Sequence, residues 1–305
     1  MLPKSFQNDE NSSLERLIEK CPLLEILDVS TFFNLSALKY CVRLKDVRND
    51  LWDKREYRYF RNESVDTLAN LQNLEKFAIF HCRKPSSYYK HIAKMLQNHP
   101  KLVSLGNTDS SWAAHHIYTT CRMDTFPRFG LKKCFWGVNK NVEEFNRKKI
   151  AYIQQFPEFV KSSVALFPLV EKLYICNRSG GIETDSNNFR KLKKLIVYEV
   201  DKESLEYLLR NALNLRELLL IDALCFDDTL LHKIFKKNSL PQLNTIAVHE
   251  CSLSRAGLKE LVQKCVNLER VAFNTLDADV ISVAEELKRH IRATYSYVEK
   301  NLTHF

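Results

Sequence analysis

Three sets of residues in this 305-residue chain carry reactive or charged groups at spacings that could do chemistry. His249-Glu250-Cys251 puts an imidazole, a carboxylate and a thiol in consecutive positions, the parts of a cysteine nucleophile activated by a base. His115-His116 is the one adjacent histidine pair. Neighbouring residues rarely serve a single metal ion, and the pair falls in an aperiodic stretch that reads as loop. The third set is larger: Lys76, Lys133, Lys172 and Lys194 recur beside Phe80, Phe135, Tyr174, Ile196, Tyr198, Leu219 and Ile221. Ammonium groups flanked by apolar side chains suit a ligand that carries carboxylate or phosphate next to hydrophobic anchors.

Motifs that assemble a catalytic centre are missing. G-x-S-x-G, a P-loop, G-x-G-x-x-G and H-E-x-x-H do not occur. The nine cysteines include no C-x-x-C to hold structural zinc or run redox exchange. No catalytic, cofactor-binding or metal-binding residue is assigned. The chain is expected not to be an enzyme and to need no cofactor.

What positions the lysines is a recurring frame, L-x-x-L-x-L. Its first residue is Leu24, Leu44, Leu74, Leu102, Leu131, Val170, Leu192, Leu215, Leu243 or Leu268, at spacings of 20 to 39 residues. Side chains on a strand alternate between faces, so the second and third anchors of each frame point the same way. The first anchor turns in from the bend before the strand. Across all ten frames only Asn49 and Asn107 break the apolar rule, whereas composition alone would leave about half of these sites polar. One unit cannot cover its own apolar face, so the units must stack, each strand pairing in parallel with the next.

The stretch LPQLNTIAVHECSLSRAGLKELVQKCVNLERVAF, from Leu240 to Phe273, contains one whole unit. Leu243, Ile246 and Val248 occupy the strand, Cys251 follows, and a helix is predicted over 255–264. Cys265-Val266-Asn267-Leu268 then restarts the frame, with Val271 and Phe273. A strand, a turn, a helix and a return to the strand position make a leucine-rich repeat. The stretch resembles the cysteine-containing repeats of F-box substrate receptors and, more loosely, those of ribonuclease-inhibitor-like proteins.

The expected fold is therefore an α/β leucine-rich repeat solenoid of about ten repeats, with a curved parallel sheet on the concave side and helices on the convex side. One domain, 1–305, is expected: a capping helix within 1–23, repeats over 24–273 that are irregular between 108 and 169, and a C-terminal cap over 274–305. Ser12 is the predicted N-cap of a helix over 13–20, and Ser86 of one ending near 97. The segment 50–70 reads as an aromatic, basic departure from the repeat, and the glycine pair at 180–181 as a turn. Asp277 opens a last helix whose Val280, Ile281, Ala284 and Leu287 cover the end of the stack, and the tail after Arg292 adds a closing strand. Cys21, Cys41, Cys82, Cys251 and Cys265 fall at repeat positions that suit buried thiols.

The opening MLPKSFQNDENSS has no apolar signal-peptide core. The longest aliphatic run, Leu218 to Ile221, is far too short to span a bilayer. An odd number of cysteines without an export signal implies reduced thiols. A cytoplasmic or nuclear protein is expected, with no membrane contact.

Residues two, four and six after each anchor face the other side of the sheet. These are the lysine column and its apolar neighbours, and together they are the expected partner-binding face. The net charge of +9 favours an acidic or phosphorylated protein segment as the occupant. The resemblance implies the substrate-recognition part of a cullin-based ubiquitin ligase, with the ligase adaptor as a further partner. No leucine- and proline-rich F-box motif of about forty residues is recognised ahead of the first repeat, which is the departure from that family. The alternative is a free-standing inhibitor or regulator of an enzyme. A nucleic-acid-associated basic module is the remote one, since no helix-turn-helix, zinc-finger or RNP-type motif accompanies the charge.

Overall fold

The structure, a computed structural model, describes residues 7–29, 33–49, 67–68, 70–79, 85–120, 128–137, 158, 160–176, 189–273, 277–287 and 290–293. Phe80, Cys82, the aromatic-basic segment 50–66, the glycine pair and the tail beyond Ala293 lie outside the described residues. The chain divides into two compact units, Met1–Phe135 and Trp136–Phe305.

The N-terminal unit runs α1 (Gln7–Glu19), β1 (Ile26–Val29), a 3-10 helix (Leu35–Tyr40), β2 (Asp46–Asn49), β3 (Lys76–Ile79), α2 (Pro85–Asn98), β4 (Ser104–Asp109), α3 (Ser111–Thr120) and β5, which starts at Lys133 (Lys133–Gly137). Its strands pair in parallel in chain order, β1 to β5. The C-terminal unit contains β6 (Lys172–Cys176), β7 (Lys194–Tyr198), α4 (Lys202–Asn211), β8 (Glu217–Ile221), α5 (Asp228–Phe235), β9 (Thr245–His249), α6 (Arg255–Lys264), β10 (Arg270–Phe273), α7 (Asp277–Glu286) and β11 (Arg292–Ala293). These strands too are parallel neighbours in chain order, β6 to β11. Within this unit each helix packs on the next, α4 on α5, α5 on α6 and α6 on α7. The α/β repeat fold expected from the spacing is the one observed.

The same backbone step builds each repeat. In the C-terminal unit the carbonyl of Glu171 accepts from the N–H groups of Lys193 and Lys194, that of Lys193 from Arg216 and Glu217, that of Arg216 from Asn244 and Thr245, and that of Asn244 from Glu269 and Arg270. The N-terminal unit repeats it from Glu25 to Lys45, from Lys45 to Glu75 and from Glu75 to Val103. A side-chain ladder runs alongside. Asn73, Asn214 and Asn267, each just before an anchor, donate to the carbonyls of Val42, Arg190 and Pro241 in the preceding repeat. These bonds satisfy carbonyls that the turns would otherwise leave open.

The anchors form the core. Leu195, Val197, Leu218, Leu220, Ile246, Val248, Val271 and Phe273 are all buried, as are Leu44, Val47, Leu74, Phe77, Leu102 and Leu105. Leu24 and Val29, in the first frame, are only half-buried, because β1 is an edge strand of its unit. The frame at Leu102 slips after Gly106. That glycine has φ +63, a Cβ there would sit 2.7 Å from Ala78 Cβ, and the register shifts between Ser104 and Asp109. A bulge built on a left-handed glycine thus accounts for Asn107, which stands where the frame expects an apolar residue.

Several boundaries differ from expectation. α1 begins at Gln7, so Ser12 lies inside the helix rather than capping it. α2 begins at Pro85, which suits a first helical position because its missing N–H would bond nothing there; Ser86 is therefore within the helix. α3 occupies part of the stretch expected to be aperiodic and carries His115 and His116, so the pair is helical and not in a loop. Val280 and Ala284 of α7 are buried as expected, but Ile281 is exposed and Val283 takes its place in the core. α6 covers the predicted 255–264.

Helix starts in the C-terminal unit are fixed by side-chain caps. Asp201 accepts from Ser204 N–H, Asp227 from Leu230 N–H, and the Ser254 hydroxyl from Ala256 and Gly257. Asp227 also pairs with Lys202 Nζ at 2.6 Å. Partial burial raises the pKa of Asp227, but the Lys202 ammonium and the backbone donors outweigh it, so the carboxyl is held below the usual carboxylate range. A depressed folded-state value stabilises the fold above the unfolded value of about 4, and that gain is lost as pH falls through the lower folded value. Asp227→Ala should cost about 1 kcal/mol at neutral pH, the usual loss of an N-cap. The gap from the parent protein should narrow below about pH 4, which denaturant midpoints measured across pH will check.

Candidate functional site

In each unit the residues that open the strands form one row. In the N-terminal unit Asp46 lies opposite Lys76, Lys76 opposite Ser104, and Ser104 opposite Lys133. Asp46 is buried and draws the cations to itself, with Arg48 at 2.6 Å and Lys76 at 3.9 Å. In the C-terminal unit the row runs Lys172, Lys194, Glu217, Thr245, Arg270 and Arg292. Lys194 Nζ is 2.9 Å from Glu217 Oε2 and only 18% exposed. Arg270 Nε donates to Thr245 Oγ1 at 3.0 Å. Lys172 and Arg292 are exposed.

The structure thus brings Lys172 and Lys194 side by side, and places Lys76 and Lys133 two strands apart in the other unit. It does not leave all four lysines equally open, since Lys76 and Lys194 are committed to acids of their own chain. The row also holds Arg270 and Arg292, which were not among the expected site residues. Counting two on from Leu268 finds Arg270, the same rule that finds the lysines. Arg292 follows a shorter path from the last helix, and no frame marks it.

The apolar part of the expected site needs correction. Ile196, Tyr198, Leu219 and Ile221 are buried, at 1%, 9%, 1% and 2% exposure, and form a second hydrophobic cluster with Ala247 and Ala272. Tyr174 packs against this cluster, half-buried. Burial raises the Tyr174 phenol above its ordinary range, Lys194 offsets part of the shift, and Glu217 adds to it. These residues are therefore core on the second face of the sheet and not exposed anchors. Strands of a parallel sheet are commonly buried on both faces, and a continuous apolar run such as Leu218-Leu219-Leu220-Ile221 is how they read in sequence. Phe80 lies outside the described residues, and only the backbone of Phe135 is described.

In the nucleophile-like triplet the imidazole reaches an acid of the preceding repeat. His249 ends β9, and its Nδ1 lies 3.4 Å from Asp222 Oδ1 in the preceding repeat. Cys251 is half-buried rather than the core thiol expected, as is Cys21, whereas Cys41 and Cys265 are buried. Burial raises the Cys41 thiol pKa, and burial with help from Asp201 pushes Cys225 up to about 11. Both thiols stay protonated near neutral pH and are poor nucleophiles there. Among the described residues, no helix is long and apolar enough to cross a membrane.

No family model matches the sequence, and no curated protein matches it. Among solved structures, the chain is similar to the leucine-rich repeat-containing protein LegL7 from Legionella pneumophila, with 12% identity, a TM-score of 0.44, and 95% of this chain and 86% of that one covered. It is also similar to a protein from Bacteroides fragilis, with 12% identity, a TM-score of 0.37, and 96% and 71% covered. Both likenesses are distant, and the fold assignment rests on the strand ladders and anchors described above.

Proposed function

We propose that the chain is a non-catalytic protein-binding scaffold that receives an acidic or phosphorylated protein segment along the strand-opening row of its C-terminal unit. One observation carries this: four of the six in-register positions, Lys172, Lys194, Arg270 and Arg292, are cationic, against a single acid, Glu217. A row with a surplus of one sign of charge attracts the opposite sign and orients it along the strands' edge. The net charge of +9 supports the same preference. The apolar residues behind the row contribute rigidity rather than contact.

Coupling to a cullin-based ubiquitin ligase is the narrower form of this proposal, supported by the likeness of the repeat at Leu240–Phe273 to those of F-box receptors. Recovery from cell extract separates the forms. Nuclease-resistant capture of a protein that is released by raised salt supports the scaffold, since salt screens exposed charge pairs. Adaptor and cullin in the same eluate support the ligase form, and one tightly held enzyme supports the inhibitor form. Capture that disappears on nuclease treatment overturns the proposal in favour of nucleic acid.

A further inference from the structure

The turns after β8 and β9 bring together three side chains suited to a metal ion. Asp222 directly follows β8, His249 is the last residue of β9, and Glu250 follows it. Register sets Ile221 opposite His249. Backbone bonds from Asp222 N–H to His249 O (3.0 Å) and from Ala223 N–H to Glu250 O (3.1 Å) clamp the two turns together. The ligating atoms of Asp222, His249 and Glu250 all lie within 4.8 Å of one another.

His249 Nδ1 singles this cluster out from an ordinary charged surface. The atom is screened from solvent and makes no hydrogen bond, whereas buried polar atoms in folded proteins are nearly always satisfied. Its 3.4 Å separation from Asp222 Oδ1 exceeds the range of about 2.7–3.2 Å for an N–H···O bond. The same separation is close to the edge of a tetrahedron around an ion bound at about 2.1 Å, the usual zinc–nitrogen and zinc–oxygen distance. The His249 side chain keeps 30% of its surface open, and Glu250 is exposed. An ion therefore has a way in, and Glu250 closes the ligand set from the solvent side.

We propose that Asp222, His249 and Glu250 form a binding site for one first-row divalent cation, with Zn2+ suited to one imidazole nitrogen and two carboxylate oxygens. The ion ties two consecutive repeats together at the ends of their strands. The test uses the full chain, stripped with a chelator and titrated with Co2+ as a spectroscopic probe and with Zn2+. One Co2+ should bind with visible bands of nitrogen and oxygen ligation and without the thiolate charge-transfer band of a cysteine site. Zn2+ should raise the Tm. Asp222→Asn and Glu250→Gln should each weaken Co2+ binding at least tenfold with an unchanged circular dichroism spectrum, and His249→Ala should abolish it. Because Glu250 is exposed, Glu250→Gln decides the matter even if His249→Ala does not fold. Absence of binding, a bound ion with thiolate charge transfer only, or variants that bind as the parent does would each overturn the proposal.

Discussion

Leu218→Asp is expected to unfold the C-terminal unit. Leu218 is 1% exposed and lies between Leu195 and Ile246 in register. An aspartate there has no cation within the leucine layer, and an unpaired buried charge is among the costliest single changes a fold can suffer. The loss should be about 4 kcal/mol or more, a large part of the roughly 5–15 kcal/mol that holds a typical domain folded. Leu218→Ala, which leaves a cavity but no charge, should cost about 2–5 kcal/mol. Leu213→Asp is the contrast, because Leu213 is 48% exposed, and a surface change of this kind should fall within about 0.5 kcal/mol. With two compact units, a single global transition is not assured. Hydrogen exchange over residues 189–273 is therefore the measurement to make. Protection that persists there in Leu218→Asp would contradict the repeat core.

The second large effect is on binding. If the proposed acidic segment is the occupant, reversing Lys172 and Arg292 together to glutamate should weaken its capture at least about a hundredfold and leave the Tm within about a degree or two. Both side chains are exposed, so removing them leaves no buried group unpaired, while the new charges repel the ligand. Lys194→Glu is the wrong variant for this purpose. Lys194 lies 2.9 Å from Glu217, so its reversal sets two carboxylates face to face and lowers stability as well. Partner affinity by calorimetry, beside a thermal melt of each variant, separates the two effects.

How much of this was legible in the sequence differs from residue to residue. α6 was fully legible because Ser254 caps it, Leu258, Leu261 and Val262 recur at helical spacing, and the next frame restarts at Leu268, four residues beyond its end. α3 was not, because its buried face is made of Ser111, Ala113, Ala114 and Ile117. Small side chains pack closely but give no hydrophobic period to read. The lysine row was legible from alternation alone. The pairing of Lys194 with Glu217 was implicit in the same alternation, since Glu217 occupies the equivalent position one repeat on. Burial of Ile196 and Leu219 was harder, because alternation separates two faces without saying whether the second is covered. The unbroken run at Leu218–Ile221 was the available sign. The meeting of Asp222, His249 and Glu250 depends on strand register across two neighbouring turns, which the types of these three residues do not announce.

Covalent labelling of lysines with an amine-reactive reagent, compared between the free chain and its complex with the captured partner, tests the central claim most directly. Lys172 opens β6 and is exposed, so its labelling should fall sharply in the complex. Lys233 on α5, together with Lys236 and Lys237 just after it, is exposed as well and should label as before. Full labelling of Lys172 with protection of Lys233, Lys236 and Lys237 would place the partner on the helices and contradict the account.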